Sequence, residues 1–224
     1  ILFSSFIDDK REKLIKMPEK PKGAKWNDPP IEISDLNYKY DSSGFRKPGE
    51  TQFFTVPATG GTPRQISNIP SEKRSGQGEW IDNNKIIFSA NLNEDSDYNT
   101  NNTELYILDI ISGKHEAITD RDGPDFSPKV SNDRSLIAYL GYDDKYLSYQ
   151  QSSIYVMSRD GSDKYKIEMD LDRNISNIYW SGNDKRIYFQ YDDNGITKIG
   201  STTLDGSQET VVDEVGGLSF SRPY

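Results

Sequence analysis

The sequence predicts an all-β fold, a partial β-propeller with about four complete four-stranded antiparallel blades and broken blades at both ends. Two observations predict this fold. Short apolar runs rich in β-branched and aromatic residues recur along the chain without helical periodicity. One pattern of polar turn and apolar run also repeats, since Ile86, Ile137 and Ile187 begin equivalent runs and lie 51 and 50 positions apart. That period matches the length of one propeller blade.

The repeated pattern has three clear copies. They are 80–88 (WIDNNKIIF), 130–139 (VSNDRSLIAY) and 180–189 (WSGNDKRIYF). Each copy starts with a large apolar residue, continues through a polar turn and ends in an apolar run, which predicts two antiparallel strands and their turn. Trp80, Val130 and Trp180 occupy the same slot. We therefore expect each to be a core residue that packs against the sheet of a neighbouring blade.

Two further strand-like runs follow each copy in the same order. They are 105–108 and 116–118, 154–157 and 165–167, and 199–204 and 210–212. The dipeptides between them are Ser112-Gly113, Asp160-Gly161 and Asp205-Gly206. Asp-Gly between β-prone runs predicts a hairpin with a type I′ turn, in which both central residues have a positive φ. Each unit is therefore expected to hold four strands.

An earlier unit has the same ending. Its strand-like runs are Phe53 to Val56 and Arg64 to Ile66, with Gly60-Gly61 between them. We expect its first strand at Glu32 to Tyr40. Ile1 to Ser5 also has the pattern of a strand, from which we expect the chain to be an internal part of a longer protein.

These elements divide the chain, 1–224, into blade units. The predicted units are about 31–68, 77–119, 123–169 and 175–213, with partial units at 1–30 and 216–224. A β-sandwich with irregular strands is the alternative. The propeller is favoured because the same internal order of strands and turns recurs in each unit, which a Greek key does not require.

Composition excludes several classes of function. The chain has 27 basic and 36 acidic residues and a net charge of −9, so it would repel a nucleic-acid backbone, and we expect no nucleic-acid partner. It has no cysteine, which excludes disulfides, thiolate nucleophiles and cysteine-ligated metals. No apolar run approaches the roughly 18 residues of a membrane span, so we expect none.

Several longer strings resemble a known family. They are KMPEKPKGAKWNDPP (16–30), VPATGGTPRQIS (56–67), ITDRDGPDFSPKVSNDRSLIAYLGYDD (118–144), IYVMSRDGSD (154–163) and DLDRNISNIYWSGNDKRIYFQYDDNG (170–195). The repeat itself looks like that of TolB-type propellers. The strings are similar to the propeller of bacterial serine peptidases of the prolyl oligopeptidase superfamily, the dipeptidyl and acylaminoacyl peptidases.

The resemblance implies a parent protein with two parts. One is a TolB-like propeller of seven or eight blades, of which this chain is an internal fragment. The other is a C-terminal α/β-hydrolase domain that carries Ser, Asp and His, acts on short peptides and is absent from this chain. The resemblance favours the periplasm or secretion, with the cytoplasm as the alternative.

The chain itself lacks the residues of a serine hydrolase. A nucleophile elbow needs Gly-x-Ser-x-Gly, and the nearest string, Gly217 to Ser221, ends in serine. The single histidine, His115, lies in a turn-flanked strand where an exposed edge position is expected. We therefore predict no catalytic residue, no metal ligand and no cofactor in 1–224.

Acidic loops follow the second strand of each unit and should emerge at one end of the propeller. They are 91–102, 142–151 and 191–195. The first is the longest, and we select Glu94, Asp95, Asp97 and Tyr98 as candidates to approach the amino terminus of a peptide substrate, because carboxylates stabilise an ammonium group. Its calcium-like alternation lacks the required turn glycine, since position 100 is threonine. A solvated loop is the alternative.

Two functions follow. The first is a non-catalytic propeller segment that gates access to a separate hydrolase domain and helps to select short peptides. The second is a TolB-like scaffold that binds a protein partner in the cell envelope. A glycosidase or lyase propeller would need clustered inward carboxylates. An open arc of blades leaves strand edges uncovered, so a homo-oligomer is a further expectation.

Overall fold

The computed structural model describes residues 1–8, 18–27, 33, 36–41, 44–47, 49–70 and 74–216. In these segments all regular structure is β-strand, and no helix is long and apolar enough to cross a membrane. The strands are β1 (Leu2–Asp8), β2 (Lys39–Tyr40), β3 (Gly44–Phe45), β4 (Gly49–Thr55), β5 (Arg64–Gln65), β6 (Arg74–Trp80), β7 (Lys85–Ala90), β8 (Glu104–Asp109), β9 (His115–Ala117), β10 (Asp125–Val130), β11 (Leu136–Gly141), β12 (Ser153–Ser158), β13 (Tyr165–Lys166), β14 (Ile175–Trp180), β15 (Arg186–Asp193), β16 (Ile196–Thr203) and β17 (Gln208–Gly216).

The strands form four successive sheets and one small hairpin. Sheet I has the order β1-β4-β5, sheet II β6-β7-β8-β9, sheet III β10-β11-β12-β13 and sheet IV β14-β15-β16-β17. In sheets II to IV every strand pairs antiparallel with the next, which is the meander of a propeller blade. The predicted fold class, a partial all-β propeller, is confirmed.

Each pair of neighbouring sheets encloses one apolar cluster. Phe53 and Phe88 lie between sheets I and II, and Ile87 lies between sheets II and III. Leu140 and Phe189 lie between sheets III and IV. Alternate residues of a central strand therefore enter different clusters, and a sheet covered on both faces needs a continuous apolar run. This explains the nearly continuous apolar runs of β7 and β11, whose sheets have a neighbour on each face.

The large apolar residues that occupy the same position before each polar turn pack as predicted. Trp80 contacts the cluster between sheets I and II, Val130 the one between sheets II and III, and Trp180 the one between sheets III and IV. Trp180 also donates its indole N–H to the carbonyl oxygen of Lys129 in the preceding sheet, at 2.8 Å. The prediction that each slot residue packs against a neighbouring sheet is confirmed.

The polar turns are closed by their own side chains. In sheet III the Oδ1 of Asp133 accepts from the Ser131 hydroxyl at 2.7 Å and from the Ser135 N–H at 2.9 Å. In sheet IV the Oδ1 of Asn183 accepts from the Ser181 hydroxyl at 2.8 Å. Short Asx side chains suit turns because they bind the nearby backbone. The turn composition thus fixes where each apolar strand begins.

The glycine hairpins differ from the predicted type I′ turn. Gly161 has a φ of 87° and Gly206 a φ of 91°, but Asp160 and Asp205 have no positive φ. The loop of three residues is closed by the Ser158 N–H, which donates to the Ser162 carbonyl oxygen at 2.9 Å. A single left-handed glycine at the end is typical of three-residue hairpin loops. The dipeptide predicted the hairpin correctly but its turn type wrongly.

The first unit also differs from the prediction. β1 pairs with β4 along its whole length, from Leu2 opposite Thr55 to Asp8 opposite Gly49, so it belongs to sheet I and not to a separate partial unit. Within the segment predicted as the first strand, 32–40, the described strand β2 pairs with β3 instead. The connection 9–48 separates β1 from β4 in sequence, and this separation hid the pairing. Apart from Gly216, the final partial unit predicted at 216–224 lies outside the described residues.

Connections of an antiparallel meander alternate between its two ends. The loops after β7 and β11 therefore lie at the same end as the segments that join one sheet to the next, and we call this the loop end. Contacts agree: the Asn101 side-chain N–H₂ donates to the Tyr142 hydroxyl at 3.0 Å and to Asp144 Oδ2 at 2.9 Å. At the opposite end Asn132 Nδ2 donates to Asp184 Oδ1 at 2.7 Å.

Candidate functional site

The four residues selected from the sequence lie on the loop after β7. Glu94, Asp95, Asp97 and Tyr98 are all exposed, and 86% of Tyr98 is accessible. The Tyr98 N–H donates to the Asp95 carbonyl oxygen at 2.8 Å, which folds the loop back on itself. None of the four lines the two cavities described below. Contact with a substrate remains a prediction for them.

His115 lies on β9, the outermost strand of sheet II, and is exposed. Its ring stands edge-on to Tyr106, with the centroids 6.0 Å apart. This is the exposed edge position expected from the sequence. Among the residues that the structure describes, no group of three or more His, Asp or Glu is placed to hold a metal ion.

The structure assembles a different group of polar residues between sheets II and III. A row of side chains crosses the face of sheet III that points towards sheet II. Tyr139 on β11 is paired with Tyr155 on β12, and Tyr155 is paired with Lys166 on β13. The two tyrosine rings stack with centroids 5.4 Å apart. We call the space beside this row the interblade cleft.

Arg121 enters the cleft from the segment that joins β9 to β10. Its Nη2 donates to Asp125 Oδ1, and its guanidinium carbon lies 4.0 Å from the centre of the Tyr155 ring. Cation–π contact and a charge-assisted hydrogen bond together fix its orientation. Gly141 leaves the space, since a Cβ there would collide with both Arg121 Nη2 and Asp125 Oδ1.

One nitrogen of Arg121 is not satisfied. Its Nε is buried and has no hydrogen-bond partner. Asp143 Oδ1 forms an ion pair with Nε at 3.6 Å, which is too long for a hydrogen bond. The cleft therefore contains a fixed, cationic N–H donor that faces Asp143 without a hydrogen bond to it.

Glu104 is buried at the start of β8 near the same segment. The Thr119 hydroxyl donates to Glu104 Oε2 at 2.5 Å and accepts from the Leu105 N–H at 2.8 Å. Burial raises the pKa of Glu104 to about 7, against the opposing hydrogen bond from Thr119. The charge of Asp120 raises this pKa further.

The same arrangement occurs 52 positions earlier in sheet I, with an amide in place of the carboxyl group. The Ser67 hydroxyl donates to Gln52 Oε1 at 2.6 Å and accepts from the Phe53 N–H at 2.8 Å. Gln52 is uncharged, so sheet I makes these bonds without burying an ionisable group. Glu104 therefore places an ionisable side chain at a position of the repeat where sheet I has a neutral amide.

The tyrosines of the cleft are strong candidates for hydrogen-bond donors. Burial raises the pKa of Tyr139 to about 12, against the opposing charge of Arg121. Burial also raises the pKa of Tyr155. Both hydroxyls therefore stay protonated at neutral pH, and each has a hydrogen to donate.

Two adjoining cavities open at this place. The smaller, of 220 Å³, is lined by Thr119, Asp120, Arg121, Asp125, Tyr139, Tyr155, Lys164, Tyr165 and Lys166. The larger, a groove of 800 Å³, is lined by side chains from 142–151 and 172–174 with Ser153, Tyr155 and Lys166. Tyr155 and Lys166 line both, so the cavities share a wall. Their combined size is that of a small-molecule or short-peptide site.

Sequence reasoning did not find these residues. Arg121 and Asp125 are four positions apart, but Tyr155 lies 30 positions after Asp125 and meets them only because β10 and β12 belong to one folded sheet. One signal was present: Glu104 stands directly before a buried apolar run, 52 positions after Gln52. Gly141 at the end of an apolar strand was a second signal, because a strand interior rarely gains from glycine unless another group approaches closely.

Comparison with known proteins supports the fold. The sequence matches no protein-family model and no curated protein. Among solved structures, the chain is similar to the acylaminoacyl peptidase of Pyrococcus horikoshii, with a TM-score of 0.64 and 16% identity over 95% of this chain and 30% of that one. It is similar to the putative TolB of Agrobacterium tumefaciens, with a TM-score of 0.55 and 20% identity over 72% of this chain and 56% of that one.

A third similar structure is the β-propeller domain of the Trilobed protease from Pyrococcus furiosus, with a TM-score of 0.51 and 18% identity over 74% of this chain and 49% of that one. The chain thus spans about half the length of the first TolB and of this propeller domain, and less of the peptidase. The chain has the fold of a segment of a TolB-like β-propeller.

Proposed function

We propose that this chain is the propeller part of a serine peptidase of the prolyl oligopeptidase type. It supplies no catalytic group and restricts which peptides reach a separate α/β-hydrolase domain. One observation carries the proposal: the likeness to an acylaminoacyl peptidase extends over 95% of the chain, whereas the other two structures leave about a quarter of it unmatched. The sequence strings that resemble such peptidases support it independently.

The loop end is the side on which such a gate would act. The long connections after β7 and β11 both lie there, and Asn101 joins them through Tyr142 and Asp144. Two loops held together by hydrogen bonds have less conformational freedom than two independent loops. They would therefore keep an opening between them narrow. Glu94 and Asp95, exposed on the first loop, would attract the ammonium group of a peptide.

The test uses the complete natural protein. A fluorophosphonate probe, which labels activated serines, should label it once, and mass spectrometry should place the label outside 1–224. The protein should cleave short fluorogenic peptides and leave folded proteins intact. Label within 1–224, or cleavage of folded proteins at a similar rate, would contradict the proposal.

The candidate loop residues have a sharper test. Replacing Glu94 and Asp95 together by Gln and Asn should raise KM for peptides with a free amino terminus and leave KM for N-acetylated peptides unchanged. The expected change is small, about two- to fivefold, because exposed charges are screened. The exposed Glu116 on β9, replaced by Gln, is the matched control.

A TolB-like scaffold that binds a protein partner is the second candidate function. The TolB structure favours it, because its identity of 20% is the highest of the three comparisons. A complete protein that takes up no fluorophosphonate and cleaves no peptide, but forms a stable complex with a cell-envelope protein, would establish this second function.

A further inference from the structure

We propose that the interblade cleft binds the C-terminal carboxylate of a peptide, with the anion held by Arg121, Lys164 and Lys166 in the small cavity and the peptide chain lying in the adjoining groove. This proposal rests on the proposed function for the choice of a peptide as ligand. The carboxylate site itself rests only on the geometry between sheets II and III.

The charges around the small cavity favour an anion. Arg121, Lys164 and Lys166 line a space of 220 Å³ on a chain whose net charge is −9. Asp125 also lines it, but its charge is already matched by the hydrogen-bonded Arg121. With Asp120, the lining carries three cationic and two anionic side chains, while Asp143 and Glu168, which pair with Arg121 and Lys166, lie outside it.

The pairing of Lys166 is of a kind that a ligand can replace. Its Nζ lies 2.9 Å from Glu168 Oε2, but 77% of that glutamate side chain is exposed. Ion pairs between exposed side chains contribute little, because water and salt screen them. A carboxylate inside the cavity would be less screened than Glu168, and it would therefore compete for Lys166.

The buried donor of Arg121 points to the same ligand. Its Nε makes no hydrogen bond, although Nη2 is bound to Asp125 and the guanidinium plane is supported by Tyr155. Asp143 faces Nε at 3.6 Å, but 70% of its side chain is exposed, so a ligand carboxylate would take its place. A buried donor without an acceptor is unfavourable, and a guanidinium already fixed in place loses little entropy on binding. Carboxylate oxygens are strong acceptors for such a donor.

The shape of the two cavities defines the rest of the ligand. A space of 220 Å³ holds a carboxylate and the few atoms next to it, and it shares Tyr155 and Lys166 with the groove of 800 Å³. The groove is lined by aromatic, aliphatic and amide side chains, including Tyr149, Leu147 and Gln150. These suit a peptide backbone with apolar side chains. A free inorganic anion would use only the small cavity.

The test is calorimetric titration of the complete protein after its serine has been blocked with fluorophosphonate. The probes are an N-acetylated tripeptide with a free C-terminal carboxylate, the same tripeptide with a C-terminal amide, and inorganic phosphate. We expect the carboxylate to bind about tenfold more tightly than the amide, as one charge-assisted hydrogen bond predicts. We expect phosphate to bind more weakly than the carboxylate peptide.

Two variants locate the anion. Lys166→Met should reduce the carboxylate preference to less than about threefold, and Arg121→Lys, which keeps the charge but has no Nε, should reduce it in the same direction. Lys145→Met is the matched control, since Lys145 lines the groove but not the small cavity. Circular dichroism confirms that each variant is folded.

Each of these measurements either supports or overturns the proposal. Equal binding of carboxylate and amide, phosphate binding as tight as the peptide, or loss of the preference in Lys145→Met instead of Lys166→Met overturns the proposal. Failure of the proposed function is distinguishable: a protein that takes up no fluorophosphonate but still prefers the carboxylate retains this site without being a peptidase.

Discussion

Replacing Glu104 by glutamine tests the physical account of its buried carboxyl group and of the bond from Thr119. The folded protein raises the pKa of this carboxyl group from 4.5 to about 7, chiefly through burial. Each pKa unit corresponds to about 1.4 kcal/mol, so ionised Glu104 costs about 3 kcal/mol of folding free energy. Gln52 shows that an amide oxygen accepts the equivalent hydrogen bond in sheet I, from Ser67.

The direction of the pH dependence follows from the raised pKa. A folded state that holds the proton more tightly is most stable below the unfolded pKa, near 4.5, and loses that advantage as the pH rises towards 7. Wild-type protein and Glu104→Gln should therefore be similarly stable near pH 4.5. At pH 8 the glutamine variant should be more stable by up to about 3 kcal/mol.

The assay is urea unfolding, followed by tryptophan fluorescence, at a series of pH values between about 4.5 and 8. The difference between the two proteins is the observable, because the titration of other groups cancels in it. Glu94→Gln, on an exposed loop, is the control and should follow wild type throughout. A difference that does not grow with pH, or a glutamine variant that is less stable at pH 8, would refute the reasoning.

Two further predictions concern packing. Gly141→Ala should destabilise the folded protein by roughly 1 to 3 kcal/mol, because the new Cβ would collide with Arg121. Gly182→Ala is the control and should change stability by less than about 0.5 kcal/mol, because no atom lies within 4 Å of its new Cβ. Equal effects of the two substitutions on the urea midpoint would contradict this prediction. Leu140→Ala should cost about 2 to 5 kcal/mol, because Leu140 is 2% exposed between sheets III and IV, and Leu147→Ala, at an exposed position, should cost far less. A Leu140 variant as stable as the Leu147 variant would show that this interface is not a packed core.

The repeat made most of the fold predictable from sequence. A polar turn followed by an apolar run, as at 131–140, encodes a strand covered on both faces, and three copies near a fifty-residue period encode three equivalent sheets. Sheet I was harder because β1 and β4 are separated by the long connection 9–48. Pairing across such a distance depends on register and on packing against sheet II, and local patterns carry neither.

The site was less predictable than the fold. The sequence directed attention to exposed loop carboxylates such as Glu94, whereas the structure concentrates buried polar groups around Arg121 and Glu104. Their contacts depend on the pairing of strands within a folded sheet and on the connection from β9 to β10, and the hydrophobic pattern of the repeat reports neither. The substitution of Glu104 for the equivalent Gln52 was visible in the sequence, but its meaning required the bond from Thr119.

The most direct test of the central claim is an experimental structure of the complete protein, by crystallography or electron microscopy. Sheets II, III and IV should be successive blades related by a similar rotation about one axis, with Arg121 over Tyr155 between sheets II and III. Sheets stacked face to face as two layers, or Arg121 turned out into solvent away from Asp125, would contradict it.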